Sequence, residues 1–253
     1  MPPDLVGLLW LLLLLGPLLF LQRSLHREIQ AIFLLVTRRV DVAMVLFSIS
    51  FFPGILLHEG SHYLTARLLG VRTGRFSLIP RSLKKGRLQL GFVETQSTDW
   101  LRDAFIGSAP LLSGGSFVAY AGLVRLGLPG LWQAFNSGTL TSLFESLHAL
   151  SMQKDFWLWF YLTLVVSSTM LPSESDRRAW LPLGFILGLL LIMSLVFGAG
   201  PWLAVHLAEP LNRVLLAVDT ILGISVLVHL VLLPPLWITR RFLNRFLRLE
   251  VVL

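Results

Sequence analysis

The stretch VAMVLFSISFFPGILLHEGSH, Val42 to His62, is an apolar run that closes on two histidines and a glutamate, with no Lys, Arg or Glu before Glu59. His58 and His62 stand four residues apart, so on a helix they share one face and reach one metal ion, with Glu59 beside them as a candidate general base. Ionisable groups are costly in hydrocarbon, so three of them in five residues at the end of such a run mark a polar constellation shielded from lipid. The plainer alternative is a pair of helix histidines satisfied by neighbouring hydroxyls. An accidental cluster of this kind in a membrane helix would be destabilising by several kcal/mol, which favours the metal-binding reading.

Composition points the same way. The chain has 253 residues, is 55% hydrophobic and 14% charged, and its mean hydropathy is +0.76. That is outside the usual range for soluble domains and predicts a single integral-membrane domain over residues 1–253. Cysteine is absent, which excludes a disulfide framework and a thiolate metal site and leaves His, Asp, Glu and water as ligands. The formal charge of +7 does not point to nucleic acid. The Lys and Arg residues stand in short segments beside apolar runs, the pattern of membrane topology and anionic-lipid contact.

The apolar runs predict an all-α polytopic membrane protein with about six transmembrane helices, each near the ~20 residues a bilayer core requires. They run from Leu5 to Gln22, Val42 to Leu69, Leu101 to Leu126, Phe156 to Leu171, Ala179 to Phe197 and Leu211 to Trp237. The first is read as a retained helix. Met1-Pro2-Pro3-Asp4 lacks the basic start of a signal peptide, and no small-residue cleavage site follows. Ala109-Pro110 and Gly114-Gly115 are expected to interrupt the third span, a break tolerated where it lines a polar cavity. Residues 127–154 are less apolar and are read as interfacial.

Between the second and third spans, residues 71–98 are polar and basic. RFSLI (Arg75 to Ile79) and RLQLGFVET (Arg87 to Thr95) alternate apolar and polar residues with Pro80 and Gly86 between them, which predicts a small membrane-associated β-hairpin after the histidine helix. The tail, residues 239–253, contains RRFLNRFLR and reads as a basic amphipathic segment at a membrane surface. Placing the hairpin interval, Arg177-Arg178 and the tail in the cytoplasm puts both termini inside and His58 in the cytoplasmic half of its helix. The segment from Arg23 to Asp41, with four arginines, then falls outside, against the rule.

A catalytic zinc ordinarily has three protein ligands and an open position for water. Carboxylates and histidines near membrane boundaries that offer the third are Glu94, Asp99, Asp103, Glu145, His148, Asp155, Glu174, Asp176, Glu209 and Asp219. Asp176 lies at a depth similar to His62. It reads equally as a ligand and as a helix cap for the fifth span or a partner of Arg177.

These residues carry a resemblance. Over roughly Val42 to Arg178 the chain resembles the site-2 protease family of intramembrane zinc metalloproteases, in which an HExxH helix is followed by a membrane-associated β-hairpin, a helix with a Gly-Pro-like break, and a later helix whose Asp supplies the third ligand. His58, Glu59 and His62 match the first motif, Ser108-Ala109-Pro110-Leu111 resembles the break, and Leu171-Pro172 followed by Asp176 resembles the segment before the ligand Asp. Ser175 and Arg177 flank Asp176 where the family has Leu and Gly. The resemblance implies one Zn2+ per chain held by His58, His62 and Asp176, Glu59 as the catalytic base, and hydrolysis of transmembrane segments of other membrane proteins. It also implies an unwound substrate strand beside the hairpin and a multi-pass location in the plasma membrane with the site toward the cytoplasm. A non-proteolytic metal-binding membrane protein such as a divalent-cation carrier is the alternative, and a lipid-surface scaffold a third. Glu59, which metal binding by two histidines does not need, favours the protease.

Overall fold

The computed structural model describes residues 6–78, 81–82, 88–89, 91–96, 98–178 and 180–249. Ten α-helices dominate them. Helices α1 (Val6–Thr37), α2 (Val40–Ser50) and α3 (Phe52–Leu68) come first. Four short strands follow: β1 (Thr73–Ser77), β2 (Arg81–Ser82), β3 (Leu88–Gln89) and β4 (Phe92–Thr95). Helix α4 (Trp100–Tyr120) continues into a π-helical turn, Ala121–Arg125. Then come α5 (Leu128–Asn136), α6 (Leu140–Ser151), α7 (Phe156–Thr169), α8 (Trp180–Val196), α9 (Gly200–His206) and α10 (Ala208–Leu247).

Three of these, α1, α4 with its π turn, and α10, are long and apolar enough to cross a membrane, and five spans result if α2–α3 and α8–α9 are each one bent span. The second expected span is broken: α2 and α3 meet at 70°. Pro53 in the first turn of α3 explains the break, because it lacks the N–H that would continue the α2 ladder. The expected interruption at Ala109-Pro110 and Gly114-Gly115 does not occur. Helix α4 runs through both pairs, since one missing hydrogen bond costs less than unwinding a helix packed on its neighbours. Asp99 caps α4 by accepting from the Arg102 amide at 3.0 Å.

Helices α1 and α10 run parallel. The Gly7 amide donates to the Asn212 side chain, Gln22 and His229 both bond Ser168, and Glu28 pairs with Arg240, so positions rise together along both helices. Six crossings would set the first and last spans antiparallel. Against the six expected spans stand three helices, or five with each bent pair taken as one, that are long and apolar enough to cross a membrane. Arg38 and Arg39, at the end of α1, lie at the same end of the bundle as the arginines of the tail.

The core gathers from six helices: Leu18 and Leu25 of α1, Phe47 of α2, Ile55 of α3, Val118 of α4, Leu164, Val165 and Val166 of α7, and Leu222, Ile224 and Val228 of α10. Against it lies a polar seam in which Ser168 donates to His229 Nε2 at 2.9 Å while His229 Nδ1–H bonds the Ser225 carbonyl at 2.7 Å. Elsewhere apolar side chains face outward. Leu181, Phe185, Val196 and Phe197 are among many that are exposed, as expected where the surroundings are lipid rather than water.

β1 and β4 pair antiparallel, Ser77 opposite Phe92 and Phe76 opposite Val93, with a bulge toward Thr73. β2 and β3 form a second antiparallel pair, Arg81 opposite Gln89. The hairpin interval therefore forms ladders where the alternating pattern predicted strands, although Pro80, Gly86, Arg87 and Leu90 lie outside the described residues. Likewise the tail is described to Leu249, as the continuous end of α10.

Candidate metal centre

Helix α3 turns His58 and His62 to one face, their rings 4.9 Å apart and edge to face. Two neighbouring helices and one loop complete the surroundings. Gly54, one turn before His58, lets α3 lie against α7: a Cβ there would stand 2.4 Å from the Val165 carbonyl oxygen. Gly107 does the same for the loop after α7, because a Cβ there would stand 2.1 Å from the Asp176 carbonyl oxygen. Any side chain at either position forces the elements apart.

Each imidazole is tied at Nδ1 to a backbone carbonyl, His58 to Thr169 at 2.6 Å and His62 to Ile106 at 2.8 Å. A carbonyl only accepts, so Nδ1 carries the proton in both rings and Nε2 of the neutral ring is a lone pair. Both Nε2 atoms face the same carboxylate: His58 Nε2 lies 3.7 Å from Asp176 Oδ2, and His62 Nε2 lies 3.4 Å from Asp176 Oδ1. Acceptor confronts acceptor twice, and a cation between them resolves both confrontations. The three ligand atoms lie within 4.8 Å of one another. Two of the three separations, 3.4 and 3.7 Å, are near the roughly 3.3 Å between neighbouring ligand atoms of a tetrahedral site with bonds of about 2.0–2.1 Å, so the donor set could hold a metal ion.

Asp176 is held in turn. Its Oδ2 accepts from the Ser173 amide at 2.7 Å. Among the described residues Asp176 makes no cap bond to α8 and no pair with Arg177, whose Nε donates to the Ser173 carbonyl. Glu59 turns toward the hairpin. A Cβ on Gly91, the residue before β4, would stand 2.8 Å from Glu59 Cγ and 3.1 Å from its Oε1, so the glutamate lies directly under that backbone.

The other acidic and histidine candidates are elsewhere. Asp99 caps α4, Asp155 pairs with Arg125 at 3.7 Å, Glu209 with Arg213 at 3.1 Å, and Glu94 accepts from the Arg75 amide at 3.2 Å. Among the described residues His58, His62 and Asp176 are the one group that could hold a metal ion. Compared with family models, curated proteins and solved structures, the chain matches none. The centre therefore rests on its own geometry. Sequence reading did not foresee four participants: the Ile106 and Thr169 carbonyls, the Ser173 amide and Gly91. The first had a visible signal, a proline four residues on.

Proposed function

We propose that the chain is an intramembrane zinc endopeptidase that cleaves peptide bonds in or near the transmembrane segments of other membrane proteins, with its site toward the cytoplasmic face of the plasma membrane. One observation carries this reading: two histidines held through Nδ1, both with Nε2 facing a single carboxylate, with a further glutamate beside them on the same helix.

Zinc in this set supplies a Lewis acid and lowers the pKa of a coordinated water toward about 7. His58, His62 and Asp176 hold it, and the Thr169 and Ile106 carbonyls keep both rings in the ligating tautomer. Glu59 accepts a proton from the attacking water and returns it to the departing amine, so both charge changes are handled by one carboxylate. The substrate enters extended, because a helical peptide ties up its carbonyls in internal hydrogen bonds. β4 borders Gly91 and offers that strand a ladder partner.

The test is metal content and cleavage of a reconstituted single-span substrate. His58→Ala, His62→Ala and Asp176→Ala each shed most of the zinc and all cleavage. Glu59→Gln keeps the zinc and loses cleavage by roughly 100-fold or more, the scale of a lost general base. Full zinc in both histidine variants sinks the metal centre, and an active Glu59→Gln enzyme sinks the protease.

A further inference from the structure

In an α-helix each carbonyl is ordinarily taken by the N–H four residues on. For Ile106, inside α4, that residue is Pro110. Proline has no N–H, and its ring crowds the carbonyl four residues back and tilts it from the helix axis. The carbonyl released in this way is the one that accepts from His62 Nδ1 at 2.8 Å, a bond buried from solvent. The other histidine uses a helix end to the same effect. Pro172 stops α7 at Thr169, and the N–H four residues beyond Thr169, that of Ser173, bonds Asp176. The Thr169 carbonyl is left for His58 Nδ1. Pro172 also strips the donor from Ser168, whose carbonyl takes the Gln22 amide.

We propose that Pro110 is a positioning residue of the metal centre: by withholding the N–H that would occupy the Ile106 carbonyl, it reserves that carbonyl to hold His62 with Nδ1 protonated and Nε2 turned to the metal. The inference rests on the metal-centre reading above. Carbonyl partners of ligating histidines fix the tautomer and raise basicity, and losing one weakens metal binding by about 10–100-fold.

A proline kept merely to bend the helix behaves differently. Alanine at 110 removes a helix breaker, so α4 itself gains stability while His62 meets a competitor for its acceptor. The two quantities move in opposite directions. Zinc and cobalt affinities, read by chelator competition in detergent, and the melting temperature of the metal-free protein are compared in the parent, in Pro110→Ala, and in a chain with lactic acid at position 110. The lactic acid ester lacks both the N–H and the ring. The expected result is a Pro110→Ala protein that melts at or above the parent temperature yet binds both metals about 10–100-fold more weakly, and an ester chain that retains the parent affinity. Parent affinity in Pro110→Ala overturns the proposal. So does equal weakening of the alanine and ester chains, which would assign the effect to the ring. If the alanine chain does not assemble, the ester chain decides alone, because its weakening overturns the proposal and its parent affinity supports it. His62→Ala is the control: if it binds metal like the parent, the metal-centre reading falls, whereas a metal-losing His62→Ala beside a parent-like Pro110→Ala removes only the proline's role.

Discussion

Glu59 is confined by a single hydrogen atom's worth of space. Gly91 packs its backbone over the glutamate so closely that a Cβ would stand 2.8 Å from Glu59 Cγ, a contact that must be relieved by rotating the carboxylate or lifting the strand. Gly91→Ala is therefore expected to keep its zinc and to lose cleavage by about tenfold or more, a barrier increase of ~1.4 kcal/mol. Gly60, inside the histidine motif, meets nothing within 4 Å, so Gly60→Ala keeps both and gains roughly 0.5–1 kcal/mol of helix stability. Zinc content and turnover measured side by side check both variants. Parent cleavage by Gly91→Ala would show that Glu59 acts from another position. Acid adds a further check at this scale. Both Nε2 atoms ligate only when unprotonated, so metal affinity falls as pH falls, and zinc retention after dialysis at stepped pH reads it directly.

The hairpin brings an edge to the centre. β4 pairs with β1 and, among the described residues, with no other strand. In an antiparallel ladder successive residues aim their N–H groups alternately at the partner strand and away from it. Of Phe92 and Val93, one thus bonds β1 and the other faces the open edge. Proline at the inward position is expected to weaken the hairpin, and proline at the outward position to cut cleavage several-fold while melting temperature and zinc content stay at parent values. Cleavage at the parent rate by both Phe92→Pro and Val93→Pro would remove the strand from substrate recognition. Helix α3 contributes at this scale as well. Its separation from α2 at Pro53 lets it turn 70° and lie along α7, and from there both histidines reach carbonyls of different neighbours.

Parallel α1 and α10 set the topology of the whole chain. Helix α1 has 32 residues and α10 has 40, about 48 and 60 Å at 1.5 Å per residue, so each exceeds a ~30 Å hydrocarbon core and projects a basic end from it. Those ends coincide, which gathers Arg38 and Arg39 with the arginines at 240–248 at one end of the bundle. The chain has no cysteine, so single-cysteine labelling has no background. Arg39→Cys and Arg245→Cys are expected to react with an impermeant maleimide from the same face of sealed vesicles, and Glu209→Cys from the opposite face. Labelling of Arg39→Cys and Arg245→Cys from opposite faces would restore an even number of crossings.

Much of the site was legible in the residues themselves. The i, i+4 histidines and the apolar run that carries them specify a helix with two possible metal ligands on one face, because helical periodicity acts locally. The alternating strands after it follow from local pattern in the same way. Asp176 was one of ten candidates, and depth along the chain left its role open; only packing, through Gly107 against its backbone and Ser173 on its carboxylate, turns it to the histidines. The parallel course of the first and last helices was not legible for a related reason. Apolar length counts segments that can enter a bilayer, whereas the direction in which the last helix returns is set by its contacts with the first, between residues some two hundred positions apart. Tautomers, likewise, are decided by carbonyls on other helices, which no single segment of sequence contains.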